Sequence, residues 1–228
     1  MTTADKIARY CSYFDGELIR ISSIESRLHS KILLVALLDT LARVRNPDTR
    51  SNKERFLRLI STGTDWTDSA RVSLYQLSLT PSLSSALQQL TMQSIDKWSY
   101  GHMHGLQRDP LISDLLPIAD TEPQRSAIQE SKHANLLYVY RNHLVHEFRE
   151  PGNGSEMDHK DKVPYYHGLS HMNHEGKIEK DTWELVYPLG FFFSLAESSV
   201  IHIRRYLTKN HIDPYSAYDL GTKWKRKI

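Results

Sequence analysis

Apolar residues recur at three- and four-residue steps from Glu17 to about Arg45. Ile21, Ile24, Leu28, Ile32, Val35 and Leu38 trace one stripe, the pattern of an amphipathic helix. Leu34, Leu37, Leu41 and Val44 add a second stripe, which predicts burial around much of the circumference in the helix's latter half. Asn46-Pro47-Asp48 ends it, because proline cannot continue a helix and disfavours helical backbone at the residue before it. Ser51 with Glu54 three residues on reads as the cap of a short helix over Arg55–Ile60, which stops at Thr62-Gly63. Asp68–Leu79 and Pro81 to about Tyr100 are predicted helices, the second entered through proline at an early position. Gln107–Glu122, with prolines at 110 and 117 and Pro123 beyond, reads mostly as connection. Pro123 to about Glu147 is the next long helix.

Between Gly152 and Asp181 the pattern changes: glycine, histidine, aspartate and lysine dominate and no helical stripe survives. Lys162–Leu169 and Thr182–Tyr187 alternate tyrosine, valine and tryptophan with polar residues, and Asn173–Gly176 supplies turn residues. A β-hairpin or a pair of short strands is expected. A last helix, from about Leu189 to Lys209, carries Phe191, Phe192, Leu195, Ser199, Ile203 and Leu207. The predicted fold class is all-α: one domain over residues 1–228, a helical bundle with a small β-hairpin insertion at about 152–187 before its last helix. No repeat occurs at solenoid periods.

Composition narrows the class. With 39% hydrophobic and 25% charged residues the chain is globular. A formal charge of +2 provides no global basic field, so polyanion binding has to come from a local cluster. Cys11 is the one cysteine, which excludes an internal disulfide or a cysteine-rich zinc site and fits a reducing compartment. The start, MTTADKIARYCSYFDGE, lacks the apolar core of a signal peptide. The longest apolar run, Ile32–Leu38, is far short of a membrane span. A cytoplasmic protein with no membrane partner is expected.

The familiar phosphate-loop, dinucleotide, HExxH and GxSxG devices are absent. What remains is YRNHLVHEFREPG, Tyr140–Gly152, at a predicted helix end. Arg141 carries a permanent charge on a planar fork suited to phosphate oxygens. His146 accepts or donates a proton near neutral pH, and Asn142 offers a hydrogen bond to phosphate or hydroxyl. These residue types can cleave RNA when the 2′-hydroxyl is the nucleophile: histidine takes its proton and arginine stabilises the charge building on phosphorus. On a straight helix Arg141 and His146 stand about 140° apart. Convergence therefore needs a distorted helix end, which Pro151 and Gly152 permit, or a second copy of the motif. Two proton carriers are also needed. A symmetric dimer supplies two His146 side chains, while His143, about 200° from Arg141, is the competing second carrier in the same chain.

Arg141-Asn-His-Leu-Val-His146 resembles the Rx4–6H signature of HEPN domains, with asparagine in the common polar position after the arginine. Glu147-Phe-Arg149-Glu-Pro-Gly is similar to the way HEPN sequences end their motif helix. The resemblance runs from the long first helix through the last. It implies a HEPN-like bundle forming a homodimer with a composite active site, and a metal-independent endoribonuclease of a toxin–antitoxin or phage-defence system. It assigns Arg141, Asn142 and His146 as catalytic, implies RNA as substrate, and allows a nucleotidyltransferase-like antitoxin as partner. No cofactor or metal is expected. The chain is longer than minimal HEPN toxins, and the hairpin is not part of their basic bundle. The rival class is a HEPN-like bundle that binds RNA, nucleotide or a partner protein without catalysis.

Other groups have a structural reading beside a functional one. His143, Glu25 and His29 can support the site; Glu25 and His29, four apart, also fit an ordinary surface pair. Asp158, His159, Asp161, His167, His171 and His174 are suitable metal ligands without distinctive spacing. Tyr165, Tyr166 and Trp183 can stack on bases or form a satellite core. Lys223–Lys227 can touch an RNA backbone or remain a solvated tail.

Overall fold

A computed structural model describes residues 1–81, 83–99, 101–154, 156–157, 161–172 and 178–218. The body is helical, with a small antiparallel sheet. Helix α1 (Thr3–Ser22) starts at a capping box between Thr2 and Asp5, which satisfies backbone N–H groups that have no partner inside the helix. It buries Ile7, Tyr10, Cys11, Phe14, Leu18 and Ile21. Helix α2 (Arg27–Arg45) begins at Ser26, whose hydroxyl accepts from the His29 N–H.

The single helix predicted from Glu17 to Arg45 is thus two helices, and Glu25 lies in the break. Local chemistry explains the break. The Ser22 and Ser23 hydroxyls bond back to the carbonyls of Ile19 and Arg20, and serine favours such caps over helix interior. The double stripe of α2 is real: Leu34, Val35, Leu37, Leu38, Leu41, Ala42 and Val44 are buried.

Helix α3 (Asn52–Thr62) is capped by Ser51 as expected. The helix predicted over Asp68–Leu79 is instead a 3₁₀ turn at Thr67–Ala70 and a short helix α4 (Leu74–Ser78). Between them Val72 bridges Lys132, and its N–H donates to the Pro110 carbonyl. Tertiary pairing overrides local propensity there. Helix α5 (Ser85–Ile95) is shorter than the expected 81–100 and starts at a Ser84 cap rather than at the proline. β1 (His104–Gly105) comes just before the predicted connection, which holds 3₁₀ turns and α6 (Ile112–Leu115). The long helix predicted from Pro123 divides into α7 (Glu122–Glu130) and α8 (His133–Asn142), because the Ser131 carbonyl accepts from Ser73 N–H.

Strands β2 (Tyr165–Met172) and β3 (Ile178–Val186) form the expected hairpin, from Tyr165 opposite Val186 to Met172 opposite Ile178. β1 pairs with β2, so the sheet has three strands. The hairpin is therefore joined to the body rather than simply inserted. Helix α9 (Leu189–Asn210) closes the core against α1 and α2. Tyr165, Tyr166 and Trp183 are buried. Tyr166 and Trp183 pack with Trp98 and Leu106 in a satellite core, so base stacking is not open to them. Among the described residues no helix is long and apolar enough to cross a membrane.

Candidate active site

The motif helix ends in an unusual way. After Asn142 the backbone widens into a π-turn over His143–Glu147, anchored by the fully buried Leu144. A π-turn bonds i to i+5, so each residue sweeps a smaller angle than in an α-helix. That reduces the separation expected between Arg141 and His146 on a straight helix. Arg141 Nη1 lies 3.4 Å from His146 Nε2 within one chain. The distorted helix end anticipated from the spacing is present, and no second chain is needed to bring these two side chains together.

Phe148 terminates the turn in the left-handed conformation (φ 57°), with its N–H on the His143 carbonyl. A bulky aromatic seldom adopts that backbone. The chain then runs through Gly152, also at positive φ (75°), where an added Cβ would stand 2.5 Å from Glu184 Oε2 on β3. This strap is held from beneath by Lys31, a fully buried lysine of α2. Its Nζ bonds Glu150 at 3.0 Å and the Tyr140 hydroxyl at 3.0 Å, and it pairs with Glu156. Tyr140 donates in turn to Glu150 at 2.5 Å. The residue just before the motif and the strap just after it are thereby tied to one cation.

Arg141 is fixed from three sides. Its Nε donates to Asp39 Oδ2 at 2.9 Å and its Nη2 pairs with the same oxygen. Nη1 donates to Asn142 Oδ1 at 3.0 Å and faces His146. The side chain is only 12% exposed. Asp39 sits on α2, and burial raises its pKa above the ordinary aspartate value against the opposing pull of Arg141 and His146. An Arg141 N–H donating to His146 Nε2 requires a lone pair on that nitrogen, the form of imidazole that takes up a proton.

The remaining predicted residues divide. His143 is turned away from Arg141 toward Glu147, its Nδ1 2.9 Å from a carboxylate oxygen without the alignment of a good hydrogen bond. Glu147 also pairs with Arg149, and these contacts hold its carboxyl below the ordinary glutamate range, with His143 the largest cause. His29 stands on the exposed face of α2 with its ring 5.4 Å from that of Phe148. It borders the site. Glu25, in the α1–α2 break, is not on a shared helix with His29, so the expected i,i+4 pair does not exist. Leu33, Val145 and Phe148, on α2 and the π-turn, are exposed apolar side chains.

Asp39 was not among the predicted site residues. The signal for it was a lone carboxylate inside the apolar run ILLVALLDTLA. Of the histidine-rich insertion, Asp158, His159 and His174 lie outside the described residues, as does Lys223–Lys227; nor is the His171 side chain described. Among the described residues no group of three or more metal-ligating side chains occurs. No family model, curated protein or solved structure matches the chain.

Proposed function

We propose that the protein is a HEPN-like endoribonuclease that cleaves RNA without a metal, with Arg141 and His146 as its catalytic pair. The observation that carries the reading is their 3.4 Å approach on an exposed helix end whose backbone departs from α-helical geometry. Such π-turns are rare and concentrate at functional sites. His146 takes the proton of the 2′-hydroxyl as its oxygen bonds to phosphorus. Arg141 and the Asn142 amide stabilise the added charge. The bond from phosphorus to the 5′-oxygen breaks, and that oxygen takes a proton from a second acid. The products are a 2′,3′-cyclic phosphate and a 5′-hydroxyl.

His143 is engaged by Glu147, so the second acid is assigned to His146 of another copy in a homodimer. Leu33, Val145 and Phe148 offer apolar area beside the motif for such an interface. A toxin role, in toxin–antitoxin or phage defence, would add an antitoxin of nucleotidyltransferase type as a further partner.

A non-catalytic RNA-, nucleotide- or partner-binding role is the second reading. It is favoured by the number of Arg141 donors already engaged: four of its five N–H groups, two on Asp39, one on Asn142 and one on His146.

Incubation of the full chain with RNA in EDTA tests between the two. Cleavage to cyclic-phosphate ends is expected, with His146→Ala and Arg141→Ala each slower by about 10²–10⁴-fold and still folded by circular dichroism. RNA bound but uncut, or cut only with divalent metal present, sinks the proposed mechanism.

A further inference from the structure

An arginine side chain has several rotatable bonds, and a catalytic guanidinium has to be held in one plane to act on one atom. On α8 itself, Asn142 Oδ1 holds the guanidinium at Nη1 alone. The anchor comes from α2: Asp39 Oδ2 engages Nε and Nη2, along one edge of the guanidinium. Nη1 lies outside that edge, and it is the atom that faces His146 Nε2.

We infer that Asp39 is a positioning residue, which fixes the Arg141 guanidinium so that Nη1 meets His146 while Asp39 itself stays clear of RNA. The inference rests on the cleavage reading. It adds an acidic side chain from another helix to a site so far confined to one segment.

Three observations bear it. First, the contact is two-point, through Nε and Nη2, which sets orientation as well as distance. Second, Asp39 is held where ionisation is costly. Its side chain is 26% exposed, and desolvation outweighs the attraction of Arg141 and His146, the charged and titratable groups that face it. A partly buried carboxylate set against a guanidinium is weak evidence for a role in stability. Third, α2 is already bound to α8 and to the strap on either side of the π-turn by the Lys31 cluster, and to the π-turn's capping residue by the His29–Phe148 contact. Asp39 is therefore a fixed reference point for the motif.

The opposite role for Asp39 is that of a competitor, occupying Arg141 until a phosphate displaces it. The two roles differ in sign. A positioning carboxylate makes the enzyme slower when lost, and a competing one makes it faster.

The test uses the full chain with Asp39→Asn and Asp39→Glu, read in two ways. NMR of the His146 imidazole in the free protein reports the Arg141–His146 contact whether or not RNA is cut. Single-turnover cleavage of an RNA oligonucleotide reports catalysis. Asp39→Asn is expected to displace the His146 ring resonances and to slow cleavage on the order of 100-fold. Binding of the oligonucleotide should change by less than about twofold, because the lost interaction acts on the chemical step. Asp39→Glu restores part of both signals.

Unchanged His146 resonances in Asp39→Asn overturn the inference, whatever the rates. Faster cleavage by Asp39→Asn also overturns it, in favour of the competitor. A wild type that cuts no RNA while its His146 resonances move in Asp39→Asn refutes the cleavage reading and upholds the positioning. Should the asparagine variant not fold, Asp39→Ser carries the same comparison.

Discussion

Asp39 and Phe148 mark the limit of what single residues disclose in this sequence. Arg141, Asn142 and His146 were legible because their chemistry is unusual at a helix end. Asp39 was not, because an aspartate in a helix is ordinary until its partner 102 positions away is known. Phe148 was hidden for another reason. Pro151 and Gly152 drew attention as terminators, yet the chain leaves helical geometry at an aromatic residue, a type that gives no left-handed signal. A pH prediction belongs here. Asp39 has a folded pKa above its ordinary value of 3.8, so over that window the folded state binds more protons than the unfolded. Its contribution to stability then falls as pH rises through the window, opposite to the usual paired aspartate. Asp39→Asn lacks this loss. Thermal unfolding over a span of about pH 3.5 to 7 should show the variant gaining on wild type as pH increases. A variant that loses ground instead would mean that Arg141 stabilises the carboxylate more than burial penalises it.

At the scale of elements, apolar periodicity located α2, α9 and the hairpin, since each has a stripe or alternation of its own, and the Ser51 cap located α3. It merged elements wherever a break is imposed from elsewhere in the chain. The joint between α7 and α8 at Ser131 depends on a hydrogen bond from Ser73 and a bridge from Val72, neither visible in local pattern. The strap after the π-turn depends likewise on Lys31, which apolar periodicity does not single out. Lys31→Met tests how much that cation holds. It leaves Glu156, whose side chain is 4% exposed, without its buried partner, and frees the more open Glu150. Removing one side of a buried ion pair costs about 3–5 kcal/mol, mostly through Glu156 here. The urea midpoint should fall, and amide exchange over 148–154 should quicken more than in α9. Adding Glu156→Gln to Lys31→Met should recover much of the loss, because the stranded charge is then gone. Uniform quickening across the molecule would show that the strap is not a separate unit.

For the whole molecule, the helical bundle was legible but its integration with the sheet was not. β1 is two residues long, too short for any pattern, yet it joins β2 to the body. A buried polar knot completes the joint: the Tyr166 hydroxyl donates to Asp109, which also bonds His133 at the start of α8. The motif helix is thus held by the sheet at one end and by the strap at the other. This changes the argument for a dimer. Two grounds pointed to a second chain: convergence of Arg141 with His146, from their spacing on a straight helix, and supply of a second proton carrier, from the acid–base chemistry. The π-turn meets the first within one chain, so only the second remains. Subunit mixing isolates it. Wild type is exchanged with increasing proportions of His146→Ala chains at fixed total concentration, with sedimentation confirming that dimers persist. If both His146 side chains serve one composite site, only wild-type pairs cut, and cleavage falls as the square of the wild-type fraction. If each chain carries a complete site, cleavage falls linearly. A linear result would return the second acid to the same chain, with His143 freed from Glu147 as the first residue to test, and would leave the apolar rim of Leu33, Val145 and Phe148 without a catalytic reason to meet its copy.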